Sequence, residues 1–322
     1  MKRRTLLVSA ALAATVLAAP SFAQNRPVKV IVPYAPGGAI DLNVRRLADK
    51  ASADLGTMIV ENRPGGGGGI GMNALARSPA DGYTIGVAAV ATNAINPWLF
   101  KELPYDASAD FTPITQLTRI PNVLVMNADA AKRLNITNFA EFVAYAKENS
   151  AKMSYASGGN GSAGHLAGEV FNHRAGLQAV HVPYNGGGPS QLALLSGLVD
   201  YTFDNLATSA ANIAAGKLLP LAVTTAEPSA LLPGLPTVAA TYPGFEFDTW
   251  WGLVAPKGTP PEAVARLNAG IVKALQTPEL QSFYKDMMME PVFGTPEAFG
   301  EFMQRELARY QDVVKVSGAS VQ

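Results

Sequence analysis

Two stretches of this chain place a valine, a proline, a tyrosine and several glycines just ahead of a predicted helix. Val32 to Asp41 is the first, with Gly37 and Gly38 at its turn, and His181 to Ser190 repeats the same order of residue types. A strand that turns through glycines into a helix points unpaired backbone N–H groups and the positive end of the helix dipole at one spot. We therefore expect each stretch to hold an anion, and we predict that the two face each other across a ligand.

A third polar loop, Ser157 to Ser162, precedes a predicted helix that carries His165, and Asp204 ends a later strand. Backbone amides and serine hydroxyls at a helix N-terminus can hold a carboxylate. An acidic residue at the carboxyl end of a strand is where α/β sheets present ligand-binding groups, although Asp204 could instead cap the next helix. His165 is a candidate for ligand contact and equally for a packed helix histidine with a neighbouring partner.

Ser162, His165 and Asp204 also supply the residue types of a serine hydrolase. Their spacing argues against that chemistry, because Ser162 and His165 lie one helical turn apart and Asn160 stands where a nucleophile elbow needs glycine. We therefore predict a binding protein and no enzyme, with an exported serine hydrolase as the alternative.

Gly66 to Gly71 formally matches the G-x-G-x-x-G pattern of dinucleotide-binding proteins. That pattern belongs after the first strand of its unit, with an acidic residue about 20 positions further on. Here it follows the second predicted strand, and the next strand ends in Ala89-Val90-Ala91. The histidines form no metal-binding pair with a close acidic residue. We expect no cofactor and no metal, and interpret the glycines either as a close-packing turn or as a rim contact to the ligand.

The elements that must position these loops alternate between strands and helices. We predict strands at residues 28–32, 58–61, 83–91, 152–156, 179–182, 199–203 and 218–224, and helices at 41–55, 70–77, 139–148, 162–174, 190–195, 208–215 and 298–316. Residues 95–110 are predicted to be irregular. Such alternation is typical of parallel strands joined by crossover helices, so the predicted fold class is α/β.

Two extended segments are predicted to cross between domains. Thr112 to Met126 is apolar and unusually long for one strand, and Asp248 to Ala255 is apolar and aromatic enough to be a strand that returns to the first domain. We predict a discontinuous domain 1, residues 24–121 plus 229–322, and a domain 2, residues 122–228. Hinge motion is expected near residues 119–123 and within 226–250, with Trp250 and Trp251 packed at the crossing.

The first residues have the pattern of a cleavable signal peptide. Lys2, Arg3 and Arg4 precede an apolar run from Leu6 to Ala19 that ends in Ser21-Phe22-Ala23. The run is shorter than the roughly 20 residues that a membrane span needs and ends in small residues. We predict that residues 1–23 are removed by cleavage after Ala23 and that the protein is periplasmic.

Composition excludes several functional classes. The chain has no cysteine, which excludes disulfides, thiolate metal sites and cysteine nucleophiles. Its 25 Lys and Arg balance 25 Asp and Glu, and the predicted leader carries only cations, so the mature chain is slightly acidic. Such a balance argues against nucleic-acid binding.

Together, the motifs resemble those of the periplasmic receptors of tripartite tricarboxylate transporters, the TctC-type or Bug proteins. The matching stretches follow the family's order along nearly the whole mature chain: Val32–Asp41, Glu61–Gly65, Asp81–Thr84, Ile95–Pro97, Asp110–Pro113, Ser157–Leu166, His181–Tyr184 and Leu235–Thr237. The resemblance implies a two-domain type II periplasmic binding protein fold with the ligand cleft between the domains. It also implies capture of a small organic carboxylate and its delivery to inner-membrane permease subunits.

Carried over to this sequence, the resemblance places the Pro36–Gly38 loop and Asp41 on one side of the ligand and the Ser157–Ser162 loop with Asp204 opposite. The candidate ligand-binding residues are Tyr34, Ala35, Gly37, Gly38, Ala39, Asp41, Ala89, Ser157, Gly158, Asn160, Gly161, Ser162, His165, Tyr184, Gly186 and Asp204. The resemblance implies that backbone N–H groups and bridging waters hold the carboxylate, which agrees with the lack of Lys and Arg in these loops.

Ala39 and Ile40 depart from the small or hydroxylated pair that the family commonly has at these positions. We therefore expect a bulkier or less polar ligand than citrate: a mono- or dicarboxylate, an aromatic acid or an acidic amino acid, bound by a monomer. The remaining alternative is a ligand sensor for a membrane signalling protein.

Overall fold

The structure, a computed structural model, describes residues 26–317. The expected signal peptide and its cleavage point after Ala23 lie outside the described residues. The strands are β1 Val28–Val32, β2 Met58–Asn62, β3 Thr84–Ala89, β4 Phe111–Asn127, β5 Ser154–Ser157, β6 Val180–Pro183, β7 Tyr201–Asn205, β8 Leu218–Val223, β9 Asp248–Pro256 and β10 Glu290–Pro291. The helices are α1 Ala39–Leu55, α2 Gly69–Ala76, α3 Asn96–Leu99, α4 Ala128–Arg133, α5 Phe139–Asn149, α6 Ala163–Ala175, α7 Gly187–Leu195, α8 Leu206–Ala214, α9 Pro261–Leu275, α10 Pro278–Asp286 and α11 Pro296–Ser317.

The strands join two parallel α/β units through antiparallel crossing strands. Their order is β2-β1-β3-β9-β4-β7-β5-β6, with β8 and β10 also paired to β4. β1 is parallel to β2 and β3 in one unit, and β5 is parallel to β6 and β7 in the other. β9 runs antiparallel to β3 and β4. This arrangement is the predicted α/β class, with helices crossing over between parallel neighbours.

The 17-residue strand β4 belongs to both units. From Phe111 to Pro121 it pairs with β9, and from Asn122 onward it pairs with β7 and β8. The change of partner therefore lies between Pro121 and Asn122, inside the segment where hinge motion is predicted.

Helix α1 shows why these segments fold as they do. Its apolar residues recur at helical spacing, and Ile40, Val44, Leu47, Ala51 and Leu55 are all buried. Helix α9 approaches it closely, since a β-carbon on Gly270 would meet the Leu55 side chain at 2.7 Å. The β1–α1 junction is thus anchored by a packed helix.

Trp250 and Trp251 are buried in β9. The Trp250 indole N–H donates to Glu306 Oε2 on α11 at 3.0 Å, so the aromatic ring is packed and its polar atom satisfied. These tryptophans pack at the strand crossing, as predicted.

The prediction of irregular structure from residue 95 was wrong at its start. Ala91–Ile95 forms a π-helical turn that continues into α3, and Pro97 occupies the first turn of that helix. Buried polar side chains allow this geometry, because Thr92 Oγ1 accepts from the Ala89 N–H at 3.2 Å. The same turn ends β3 at Ala89, two residues earlier than predicted. None of the described helices is long and apolar enough to cross a membrane.

Candidate ligand-binding site

Loops from both units enclose a cavity of about 60 Å³. Each contributing segment is the end of a strand, the start of a helix or a crossing strand. The lining residues are Tyr34, Ile40, Ala89, Val90, Ala91, Asn122, Gly158, Ser162, Ala163, Gly164, Gly186, Gly187, Phe203, Asp204, Asn205 and Thr249. The beginnings of α1, α6, α7 and α8 therefore all border one small space.

Six of the predicted site residues lie in this lining: Tyr34, Ala89, Gly158, Ser162, Gly186 and Asp204. Ile40, which the sequence analysis expected to influence the choice of ligand, also lines it, and the remaining lining residues were not predicted. Several are immediate neighbours of predicted ones, such as Ala163, Gly187 and Asn205. Asn122 and Thr249 come instead from the crossing strands, where no local motif marks them.

The glycine loops mainly contact each other. The Ala35 N–H donates to the Asn185 carbonyl oxygen at 3.0 Å across the cleft. A β-carbon on Gly38 would lie 3.4 Å from the Gly188 backbone nitrogen. Ala35, Gly37, Gly38 and Ala39 are not among the lining residues of this cavity. Ala35, Gly37 and Gly38 contact the opposite glycine loop.

Asp41 also has a structural environment. Its carboxylate accepts from the Gly37 N–H at 3.0 Å, from Arg45 Nε at 3.0 Å and from Asn62 Nδ2 at 2.9 Å. Burial opposes ionisation, but the hydrogen bonds from Arg45, Gly37 and Asn62 outweigh it and lower the pKa of Asp41. The side chain is 2% exposed and fixes the shape of the Pro36–Gly38 loop without reaching the cavity.

A second chamber of about 350 Å³ shares the lining residues Tyr34 and Gly158 with the first cavity. Asn160 and Tyr184 lie here, opposite Gly65–Gly68. A β-carbon on Gly67 would collide with the Asn160 carbonyl oxygen, and one on Gly71 would meet Pro33 Cα at 2.7 Å. The Gly66–Gly71 run is therefore both a close-packing turn and part of the chamber wall.

Ser157, Gly161 and His165 are not among the lining residues of the cavity. His165 and His181 stack with ring centroids 4.1 Å apart, and Ser157 Oγ lies 2.6 Å from His181 Nε2. Burial lowers the pKa of His165 to about 4, and burial together with the neighbouring His165 lowers that of His181 to about 3. The pair is therefore neutral near pH 7 and supports the Ser157–Ser162 loop by packing and hydrogen bonding.

The residues do not assemble the hydrolase triad considered from the sequence. Ser162 Oγ caps α6 by accepting from the His165 backbone N–H at 3.1 Å. His165 Nδ1 accepts from the Gly161 N–H at 3.2 Å, so this nitrogen is not available to activate Ser162.

Asp204 does not cap α8 in the usual way. Its Oδ1 accepts from the adjacent Asn205 N–H at 2.9 Å and its Oδ2 from Ser209 Oγ at 2.9 Å. Burial raises the pKa of Asp204 to about 7, against the opposing hydrogen bonds from Ser209 and Asn205. In the part of the chain that the structure describes, no lysine, arginine or histidine lines this cavity.

Comparison with known proteins assigns the chain to a family. The model of the tripartite tricarboxylate transporter family receptor matches residues 43–319. The chain belongs to this family. Protein BugT of Bordetella pertussis is 33% identical to it over 327 residues, which cover 100% of this chain and 99% of BugT.

Two solved structures of family receptors resemble the whole fold. Rpa4515 from R. palustris, with adipate, has a TM-score of 0.86 and 34% identity over 92% of this chain and 99% of that one. MatC from Rhodopseudomonas palustris, with bound malate, has a TM-score of 0.83 and 30% identity over 90% and 99% of the two chains.

These matches confirm the predicted family and the two-domain periplasmic binding protein fold. Proteins of this family are solute receptors, not enzymes, and the family implies a periplasmic location. Two of these related receptors were solved with carboxylates, adipate in Rpa4515 and malate in MatC.

Proposed function

We propose that this receptor traps one small organic carboxylate between its two units and delivers it to the permease subunits of a tripartite tricarboxylate transporter. The observation that carries the proposal is the convergence of four helix N-termini on a cavity without a basic side chain. Backbone N–H groups and helix dipoles favour an anion without needing a cationic partner.

The lining supports an acid of modest size with apolar parts. Ile40, Val90 and Phe203 offer apolar surface, while Ser162 and Asn205 offer polar atoms. The related receptors that were solved with adipate and with malate support small organic acids as the class of ligand to test first. The second chamber shares Tyr34 and Gly158 with the first cavity, so a longer ligand would extend into it past these residues.

Closure between the glycine loops supports a trapping mechanism. The Ala35–Asn185 hydrogen bond joins segments on either side of the cavity, and β4 and β9 supply the crossing strands about which the units would rotate. A ligand that bridges both units favours the closed form by its differential affinity for that form.

A thermal-shift panel tests the carboxylate specificity. Mature protein freed of bound ligand by unfolding and refolding is mixed with mono-, di- and tricarboxylates, including adipate and malate, and with amino acids. Neutral sugars serve as controls. An acid at 100 times its Kd should stabilise the folded state by about 2.7 kcal/mol. If no acid in the panel raises the melting temperature, the proposed function is contradicted. Co-purification with permease subunits in the presence of the active acid tests the delivery step.

A further inference from the structure

Asp204 lies in the cavity wall with both carboxylate oxygens held as hydrogen-bond acceptors. A series of hydrogen bonds between side chains orients the Ser209 hydroxyl toward Asp204. Asn212 Nδ2 donates to Gln191 Oε1 at 2.8 Å, and Gln191 Nε2 donates to Ser209 Oγ at 3.4 Å. Ser209 must then use its one proton toward Asp204 Oδ2. The network supplies donors to Asp204 and thus favours its ionised form.

Asp204 Oδ1 is also held as a hydrogen-bond acceptor. The Asn205 N–H donates to Asp204 Oδ1 at 2.9 Å, at the beginning of the nine-residue helix α8. A negative charge here is favoured by the helix dipole. Asp204 is therefore held as an acceptor from both sides.

What Asp204 lacks is a cationic partner. Its side chain is 6% exposed, and the lining contains no basic residue among those described. The neighbouring Asn205 Oδ1 is a buried acceptor without a hydrogen-bond partner, and it belongs to the same wall. A buried anion without a counter-charge is costly, and a buried unpaired acceptor adds to that cost. Two adjacent residues of the cavity wall thus carry acceptor oxygens without a cationic partner, which matches a group that has several N–H donors and a positive charge.

We propose that Asp204 and Asn205 form a subsite for a protonated amino group, so that the preferred ligand is an amino acid and not a plain dicarboxylate. This inference rests on the proposed function, since the helix N-termini still hold the ligand's carboxylate. The ammonium donates to Asp204 and to Asn205 Oδ1, and it supplies the positive charge that the cavity wall lacks. Asp204 thereby becomes the residue that sets specificity within the class of small acids.

The test compares acids that differ in one amino group. Calorimetric titrations at pH 8 use succinate with aspartate, glutarate with glutamate, and butyrate with 4-aminobutyrate. The best amino member should bind at least tenfold more tightly than its partner, the lower end of what a charged hydrogen bond contributes. Asp204→Asn should abolish that preference while leaving the plain acid's affinity within about threefold, again by the affinity scale.

Asp200→Asn is the matched control, because it makes the same substitution at the residue preceding β7 and outside the lining. It should keep the preference for amino acids. If Asp204→Asn fails to fold, as judged by circular dichroism, Ser209→Ala serves instead and should reduce the preference. The pH dependence of binding by the wild-type protein is a further measurement. Affinity for the amino acid should fall when the pH is lowered from 8 to 5.5, because protonated Asp204 no longer attracts the ammonium.

The outcomes separate the two proposals. Equal or tighter binding of the plain acids, unchanged by Asp204→Asn, would overturn the amino subsite and leave the carboxylate receptor standing. Binding of neither member of any pair, together with no response in the thermal-shift panel, would overturn both.

Discussion

The Ala35 N–H and the Asn185 carbonyl oxygen, 3.0 Å apart, join the two loops that carry the repeated valine, proline, tyrosine and glycine pattern. Ala35 precedes α1 in the first unit and Asn185 precedes α7 in the second. The sequence repeat thus corresponds to two loops that meet, and Tyr34, Ile40, Gly186 and Gly187 of these loops also line the cavity.

Gly38→Val should weaken ligand binding while leaving the fold intact. The backbone of Gly38 is extended, with φ −79 and ψ 166, so valine fits locally, but its side chain would point toward the Gly188 nitrogen 3.4 Å away. Closure would be hindered, and we expect at least a tenfold loss of affinity by calorimetry. Gly294→Val is the control, because a β-carbon there meets nothing within 4 Å. Normal affinity in Gly38→Val would disprove the role of this contact in closure.

Asn122→Ala should lower both stability and affinity. Asn122 Nδ2 donates to the Phe247 carbonyl at 3.0 Å and its Oδ1 accepts from Thr249 Oγ1 at 3.0 Å, so one side chain links the crossing strands beside the cavity. Leaving these groups unpaired should cost about 1–3 kcal/mol in urea unfolding. Affinity should also fall, because Asn122 lines the cavity.

Asn268→Ala is a matched control for that change. Asn268 Nδ2 donates to the Ile114 and Gly294 carbonyls, each at 2.8 Å, and lies away from the cavity. Its replacement should reduce stability by a similar amount and leave affinity unchanged. Parallel effects of both variants on affinity would mean that Asn122 acts only through stability.

Asp204 should make the ligand-free protein less stable as the pH rises. Its folded pKa of about 7 exceeds the ordinary value of 3.8, so the folded state keeps a proton that the unfolded chain releases. The associated stability is present below about pH 4 and is lost by about pH 7, a change of up to about 4 kcal/mol. Asp204→Asn should therefore be more stable than wild type at pH 8 and similar to it near pH 4. Urea titrations at both pH values measure this, and a constant difference would show that Asp204 stays ionised.

The stacked histidines should make the stability of the folded state depend on pH in the opposite direction. The folded pKa values of about 4 for His165 and about 3 for His181 lie below the ordinary 6.5, so the folded state excludes protons that the unfolded chain binds. Their contribution is present above pH 6.5 and is lost as the pH falls toward 4. His181→Phe should flatten the loss of stability between pH 7 and 4.5, at the expense of the Ser157 hydrogen bond. Imidazole resonances of His165 and His181 that titrate near pH 6.5 would refute this prediction.

Much of the fold could be predicted because helices, strands and glycine turns are marked by residues that are close together in the sequence. Helical spacing marked α1, and the length of β4 indicated a strand that crosses between units. Glycine loops before α1, α6 and α7 pointed to the correct region of the molecule. These features depend on neighbours in sequence, which one chain displays directly.

The full set of cavity-lining residues could not be predicted, because it depends on pairing between strands that are far apart in the sequence. Asn122 reaches the cavity through the register that places it opposite Asn205, 83 positions away in sequence by the difference of their numbers. Asp41 was expected to contact the ligand, but Asn62 and Arg45 satisfy it, and its contact with Asn62 forms only when β1 and β2 pair. Nothing local distinguishes such a supporting residue from one that faces the cavity.

Calorimetry of Ala163→Leu tests most directly whether a carboxylate binds inside this cavity. Ala163 begins α6 and lines the cavity, so the added isopropyl group would occupy space that the acid needs. Ala128→Leu makes the same change at the beginning of α4, outside the lining. With the acid that gives the largest thermal shift, wild type and Ala128→Leu should each bind one molecule per chain, and Ala163→Leu should lose at least about 100-fold in affinity. Unchanged binding by Ala163→Leu would show that the carboxylate does not bind in this cavity.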